Sequence, residues 1–217
     1  MAAGAGVRVR SVAVGLMDSQ ILKLWGRRSS FHTRKVIWAL EELALPYELI
    51  EAGFGIEPTA AFRARNPNLQ APVIDAGGVV VWESNVIVRY LCTAHGGGAL
   101  ARDQTLAARF EVEQWMDWNA TTLWPALRPL HHARSRGQDL DEGSRAALEA
   151  GIERWFEVLE RRLAAVSYLA GDDFSMADIP VGLTVDRAVR LGLARDRPNL
   201  LRWWSALVAR PAFPSEQ

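Results

Sequence analysis

The chain lacks three features that would point to particular classes of protein. Its 217 residues contain one cysteine, Cys92, which excludes an internal disulfide framework and a Cys-x-x-Cys motif. The 25 basic and 25 acidic residues balance, so charge gives no support for binding nucleic acid or an anionic membrane surface. No apolar stretch reaches the roughly eighteen residues that a membrane span requires. These absences favour a cytoplasmic protein in a reducing compartment that acts on a small neutral or zwitterionic ligand.

The remaining composition is that of a globular protein with one or two domains. An apolar content of 49% and a charged content of 23% suffice for a substantial core. Residues 1–20 show neither helical nor strand periodicity, and their apolar stretch is too short and broken for a secretory signal. We expect this segment to be a disordered N-terminal extension, with Met17 as an alternative start.

The fold class follows from the order of periodic segments. A strand, a helix and a second strand are predicted over Ile21–Trp25, Thr33–Leu43 and Tyr47–Ile50. So short a unit implies a right-handed crossover between parallel strands. A later hairpin adds two strands and completes a four-stranded mixed sheet. A glycine-rich break at residues 95–102 is predicted to be a linker, because the chain beyond it reads as helical throughout.

Residues 66–85 carry the most information. Two extended runs, Val73–Asp75 and Val79–Trp82, flank a pair of glycines whose backbone freedom suits a tight hairpin. Ser84 follows at the predicted start of a helix, where its oxygen can accept an unpaired backbone N–H as an N-cap. A carboxylate could bind at this positive helix end while an ammonium pairs with Glu83. The pair would then bind the end group of an α-amino acid; alternatively, Ser84 only caps and Glu83 is solvated.

The helical half contains two further local signals. A long helix is predicted from Leu106, and Pro125 and Pro129 are expected to kink or end it. Ser175 is predicted to be another N-cap, with Asp178 three residues later completing a capping box. Because such a cap contributes about 0.5–2 kcal/mol, we interpret this motif as structural and not catalytic.

Several motifs follow one another along the chain: a serine-containing turn before the first helix, Asn66-Pro67, Ala71-Pro72-Val73, Trp82-Glu83-Ser84-Asn85, the run from Trp115 to Pro125, and Ser175-Met176-Ala177-Asp178. In this order they resemble the soluble glutathione transferase family, in particular its serine-type bacterial members. The resemblance implies a thioredoxin-like domain over 21–94 that binds glutathione and an all-helical domain over 103–217 that lines an electrophile pocket. It also implies a homodimer and a role in detoxification, with glutathione as co-substrate.

The resemblance also implies which residues bind glutathione: Glu83, Ser84, Val73, Pro72, Gln70, Arg27 and His32. Glu83 and Ser84 would hold the γ-glutamyl end, and the Val73 backbone would pair with the cysteinyl unit after a cis proline. Residue statistics alone favour trans, since only about 5–6% of X-Pro bonds are cis. Leu69 stands where the family often has a basic residue for the glycyl carboxylate; Arg27 or His32 could replace it.

The chemistry requires a glutathione thiolate near neutral pH. Lowering a thiol pKa from about 8.5 by two units corresponds to roughly 2.7 kcal/mol of preferential thiolate stabilisation. Ser29 and Ser30 stand where serine-type members place the activating hydroxyl, and we rank Ser30 slightly ahead of Ser29. The simpler interpretation is that both are turn and cap residues. Trp115 and Trp118 are assigned to the pocket for the electrophile.

Two other classes of function remain compatible with the sequence. The first is a non-catalytic binding or regulatory protein of the same fold. The second is a glutathione-dependent reductase or lyase, although the first turn contains no cysteine to act in reduction. No metal is expected, because His131-His132 lacks further ligands at suitable spacing.

Overall fold

The computed structural model describes residues 21–96 and 98–214. The predicted N-terminal extension lies outside the described residues. The first half contains, in order, β1 (Leu22–Trp25), α1 (Phe31–Glu42), β2 (Tyr47–Ile50), α2 (Ala60–Arg65), β3 (Val73–Ala76), β4 (Val79–Trp82) and α3 (Ser84–His95). The second half contains α4 (Leu106–Trp118), a π-helical turn (Asn119–Leu123), α5 (Trp124–Ser135), α6 (Glu142–Ala165), α7 (Asp178–Arg190) and α8 (Pro198–Val208). The short helix α2 was not predicted.

The four strands form one mixed sheet in the order β2-β1-β3-β4, which confirms the predicted architecture. Strand β1 pairs in parallel with β2, and β3 runs antiparallel to both β1 and β4. Strands β2 and β4 have their predicted bounds, whereas α1 begins two residues earlier than predicted. It begins at Phe31 because Ser30 is its N-cap, with the Thr33 N–H 3.5 Å from the Ser30 hydroxyl oxygen. The division into domains at 95–102 remains a prediction.

The effect of the two prolines differs in part from the prediction. Helix α4 ends at Trp118, and a π-helical turn leads into α5 without a loop. Pro125 lies in the first turn of α5, directly after the π-helical turn, and Pro129 lies inside α5 without ending it. Among the described helices, none combines the length and apolarity that crossing a membrane would require.

Helix α7 is the centre of the helical half, and its first residue is a buried polar hub. The Asp178 carboxylate accepts hydrogen bonds from the Leu169 N–H (3.0 Å), the Ser175 N–H (2.9 Å) and hydroxyl (3.1 Å), and the Trp203 indole (2.9 Å). The predicted capping box is present in one direction only, because the Asp178 carboxylate accepts from the Ser175 N–H while the Ser175 hydroxyl donates to that carboxylate. The prediction that Ser175 is the N-cap is wrong: α7 begins at Asp178, and Ala177 is the cap residue without a side-chain capping bond.

The helical half packs directly on α1. Trp38 lies 4.9 Å from the Phe213 ring and 5.6 Å from the Phe174 ring, centroid to centroid. A Cβ at Gly182 of α7 would lie 2.6 Å from the end of the Leu207 side chain, so a larger residue there would force the packing of α7 against α8 to shift. Arg210 also donates to both carboxylate oxygens of Glu42, at 2.6 and 2.7 Å. These contacts fix α1 between the sheet and the helical half.

Candidate active site

The turn between β1 and α1 presents a half-buried hydroxyl. Ser30 caps α1 by accepting the Thr33 N–H, so its own O–H proton remains available to a ligand. Ser29 precedes it and is exposed. A Cβ at Gly26 would lie 2.5 Å from the Thr33 hydroxyl oxygen, so glycine is needed for the turn to close onto the helix. The two serines therefore differ in surroundings, and Ser30 is the one at the helix N-terminus.

The start of α3 corrects the prediction that Ser84 is an N-cap. The helix begins with Ser84 itself, and the preceding Glu83 is the cap residue, with φ 70° and ψ 115° and no side-chain capping bond. This left-handed backbone is unusual for a non-glycine residue and is typical of functional sites. The Ser84 hydroxyl instead lies 3.3 Å from Nδ1 of His32 on α1. The contact joins the N-terminal turns of α1 and α3.

Three more of the predicted glutathione residues, Gln70, Pro72 and Val73, lie on the loop before β3 and at the start of that strand. The Ala71–Pro72 peptide bond is cis, as the family resemblance implies and contrary to residue statistics. Val73 follows as the first residue of β3. Gln70 is exposed, and its carbonyl accepts a hydrogen bond from the Asn66 side chain at 2.6 Å. Asn66 thus fixes the loop in which the resemblance places the glycyl end.

His32 and Lys35 give the site a distinct electrostatic character. Desolvation, and then the charges of Lys35, Arg187 and Arg128, lower the pKa of His32 from 6.5 to about 4, although the residue as a whole is exposed. His32 is therefore neutral at physiological pH. Its contact with Ser84 places it beside a residue predicted to bind the γ-glutamyl end, whereas His32 itself was predicted for the glycyl end.

Arg27 lies on another side of the turn. A cavity of about 660 Å³ opens there between the turn, α1 and the C-terminal segment. The Arg34 guanidinium donates to the Pro214 carbonyl across this cavity. Its lining comprises Arg27, Arg28, Ser29, Arg34, Ile37, Glu41, Glu51, Pro211, Ala212, Phe213 and Pro214. The lining includes Ser29 but neither Glu83 nor Ser84, so Arg27 lies with Ser29 and apart from the Glu83–Ser84 pair. Its role at the glycyl carboxylate stays a prediction.

The tryptophan that stacks beside the turn, Trp124, is not one of the two that were predicted to line the electrophile pocket. Trp124 stacks on Phe31, the residue after Ser30, with ring centroids 4.1 Å apart. Trp118 instead packs edge-on against Trp155 of α6 at 6.2 Å, and Trp115 packs against Trp118 at 5.4 Å. Trp124 is the first residue after the π-helical turn. Such turns are common at functional sites, and no sequence signal predicted this one.

Cysteine and metal chemistry receive no geometric support within the described residues. Cys92 is buried in α3, and desolvation raises the pKa of its thiol to about 12. Among residues 21–96 and 98–214, no three His, Cys, Asp or Glu side chains are grouped so that they could hold a metal ion.

Comparison with known proteins identifies the family. The family models described as "Glutathione S-transferase, N-terminal domain" and "Glutathione S-transferase, C-terminal domain" match residues 24–99 and 119–211. Glutathione S-transferase GstB of Escherichia coli K12 is 40% identical over 200 residues, which cover 88% of this chain and 95% of GstB. The probable glutathione S-transferase GSTF2 of Oryza sativa subsp. japonica is 30% identical over 204 residues, 88% of this chain and 93% of GSTF2.

Solved structures agree with the sequence comparison. The theta class glutathione S-transferase of Xanthomonas axonopodis pv. citri with glutathione bound has a TM-score of 0.76 and 35% identity, covering 88% of this chain and 94% of that one. Glutathione S-transferase-I bound with lactoylglutathione has a TM-score of 0.81 and 26% identity, covering 89% and 97%. With a thioredoxin-like sheet followed by a helical domain, this chain belongs to the glutathione S-transferase family.

Proposed function

We propose that the chain is a cytoplasmic glutathione transferase that joins the glutathione thiolate to a small apolar electrophile, as in detoxification. One observation carries the proposal: the N-terminal turns of α1 and α3 adjoin through the His32–Ser84 contact of 3.3 Å. One turn offers the Ser30 hydroxyl and the other offers free backbone N–H groups beside Glu83. Two methylenes, the γ-amide and the cysteinyl Cα and Cβ separate the thiolate of glutathione from its amino-acid end group, and both groups would find complementary partners there.

Each site residue then has a distinct role. Glu83 pairs with the γ-glutamyl ammonium, and Ser84 with its N–H binds the carboxylate. The Val73 backbone pairs with the cysteinyl unit, and the Gln70 loop receives the glycyl end. Ser30 donates its hydroxyl proton to the sulfur, which requires no relay to an acid or a histidine. Phe31 and Trp124 border the electrophile, and the assignment of Trp115 and Trp118 to this pocket stays a prediction.

Binding of glutathione tests the proposal directly. Glu83→Gln removes the charge that faces the ligand ammonium, and we expect it to weaken the affinity at least about tenfold, the usual scale for a lost charged hydrogen bond. Isothermal titration calorimetry measures the affinity, and Glu48→Gln at an exposed site on β2 is the control. Absence of any binding heat for the wild type at millimolar glutathione would rule out the proposed function.

The same preparation separates the alternative functions. Conjugation of an aromatic halide electrophile, followed by absorbance, distinguishes a transferase from a protein that only binds glutathione. A reductase would need an accessible thiol, and the buried Cys92 with its raised pKa does not provide one. Binding without turnover on any of several electrophile classes would favour the non-catalytic alternative.

We further propose that the protein is a homodimer that associates through β4, α3 and α4. These elements carry exposed apolar side chains, including Val86 (46% exposed) and Phe110 (63%). Helices α3 and α4 adjoin through the ion pair between Arg89 and Glu113. Phe110→Asp should convert the dimer into a monomer of 24.1 kDa in light scattering. The control Val158→Asp, at a 38% exposed position on α6, should remain dimeric; equal behaviour of the two variants would contradict this interface.

A further inference from the structure

Lys35 is a buried cation that the roles described above do not use. The residue is 3% exposed, and its ammonium donates to the Asn85 side-chain oxygen at 3.1 Å. It also lies 4.9 Å from the centroid of the Phe31 ring. Among the described residues, no carboxylate forms an ion pair with it. Lysine is almost never fully buried unless it is paired, so its position here calls for an explanation.

The surroundings make the position of this cation less favourable still. Asn85 belongs to the first turn of α3, so the ammonium faces the positive end of a helix. Arg187 of α7 and Arg89 of α3 repel it, while Glu83 is the carboxylate that attracts it; His32, on the same helix, is neutral. Burial first, and then the two arginines, lower the pKa of Lys35 from 10.5 to about 7. A bound anion at the start of α3 would stabilise the protonated form of Lys35.

We propose that Lys35 is a positioning residue for glutathione: its ammonium, through Asn85, holds the first turn of α3 and supplies positive charge behind the γ-glutamyl carboxylate, so that ligand binding and Lys35 protonation are coupled. The inference rests on the proposed glutathione site. It adds a residue that does not touch the ligand. It also adds a proton that Lys35 takes up from solvent when the ligand binds. The carboxylate adds negative charge near Lys35, and the protonated form of the protein therefore binds the ligand more tightly.

The protonation of Lys35 can be measured directly in the wild-type protein, because the chain contains few lysines. Lys23 and Lys35 are its only lysines, so lysine labelled with ¹³C at Cε gives two NMR signals. The Lys35 signal should titrate near pH 7 in the free protein, and saturating S-methylglutathione should raise its midpoint by about one unit or more. This ligand has no ionisable thiol, so the proton taken up cannot be confused with one released from sulfur. The signal of the exposed Lys23 is the internal reference.

Substitution provides a second, independent measurement. Lys35→Met should weaken S-methylglutathione binding about tenfold at pH 6.5, and Lys35→Arg, which keeps a permanent charge, should restore much of the affinity while abolishing the pH dependence near 7. Lys23→Met is the matched control and should bind like the wild type. Calorimetry in two buffers of different ionisation enthalpy should detect proton uptake by the wild type in excess of that by Lys35→Met.

Lys35→Met, which should weaken ligand binding, should at the same time raise the thermal stability of the free protein. Below pH 7 the folded protein bears the full cost of burying the ammonium, and this cost disappears as the pH rises from 7 towards 10.5. Lys35→Met should therefore raise the melting temperature by about 5 °C at pH 6.5, with a smaller gain at pH 9. A variant that is less stable at every pH would assign Lys35 a purely structural role and overturn the proposal.

Two outcomes separate this inference from the proposed function. If S-methylglutathione binds and the Lys35 midpoint does not move, the coupling is wrong while the glutathione site stands. If neither glutathione nor S-methylglutathione binds, the proposed function itself is wrong. The labelled wild-type protein decides between them even if Lys35→Met fails to fold.

Discussion

Removal of the Ser30 hydroxyl is expected to lower kcat/KM for glutathione conjugation about 10- to 100-fold at pH 6.5. A hydrogen bond to a charged acceptor contributes about 1.5–3 kcal/mol, which corresponds to a rise of about one to two units in the pKa of the bound thiol. Below that pKa the thiolate fraction, and with it the rate, falls by the same factor. Thiolate absorbance of the Ser30→Ala complex as a function of pH measures the shift.

The same substitution also removes the cap of α1, so a control must separate stability from chemistry. Ser30→Gly keeps most of the capping energy, because glycine costs only a few tenths of a kcal/mol at this position, but it lacks the hydroxyl. Ser30→Thr keeps both the helix cap and the hydroxyl, and it should retain activity. Ser29→Ala is the matched control in the same turn, and we expect less than a twofold change. Equal loss in Ser29→Ala and Ser30→Ala would contradict the assignment of the hydroxyl to Ser30.

Substitution of Asp178 is expected to give the largest loss of stability. Asp178→Ala leaves three N–H donors without their partner, from Leu169, Ser175 and Trp203. Because each orphaned buried donor costs about 1–3 kcal/mol, we expect the free energy of unfolding to fall by about 3–5 kcal/mol. Urea denaturation followed by circular dichroism measures this change, and the midpoint concentration should fall at constant slope.

The exposed Asp173 provides the control, only five residues away. Asp173→Ala should change the free energy of unfolding by less than about 0.5 kcal/mol, since surface substitutions away from special features do little. The loss in the free energy of unfolding of Asp178→Asn should lie between those of the two alanine variants. Its amide keeps one acceptor oxygen but cannot accept from every donor. If Asp178→Ala unfolds with the midpoint of Asp173→Ala, the buried hub does not stabilise the fold.

Local sequence patterns predicted the elements well where neighbouring residues decide the structure. Strands β2 and β4 have the bounds that alternating and extended runs between turn residues indicate. The N-cap prediction for Ser84 was wrong because Glu83 adopts a left-handed backbone, which moves the cap one residue upstream. Helix α2 and the π-helical turn were missed because neither has a periodic or turn signal long enough to detect.

The order of elements and the carboxylate–serine pair at a helix start were predictable, because each depends on residues within a few positions of one another, and the mixed sheet follows from that order through the crossover rule. Which side chains meet depends instead on packing between distant segments. The contacts of His32 with Ser84, Phe31 with Trp124 and Lys35 with Asn85 each join residues about fifty or more positions apart. Burial and electrostatics depend on such packing, so a lysine inconspicuous in the sequence became a buried cation beside the proposed ligand site.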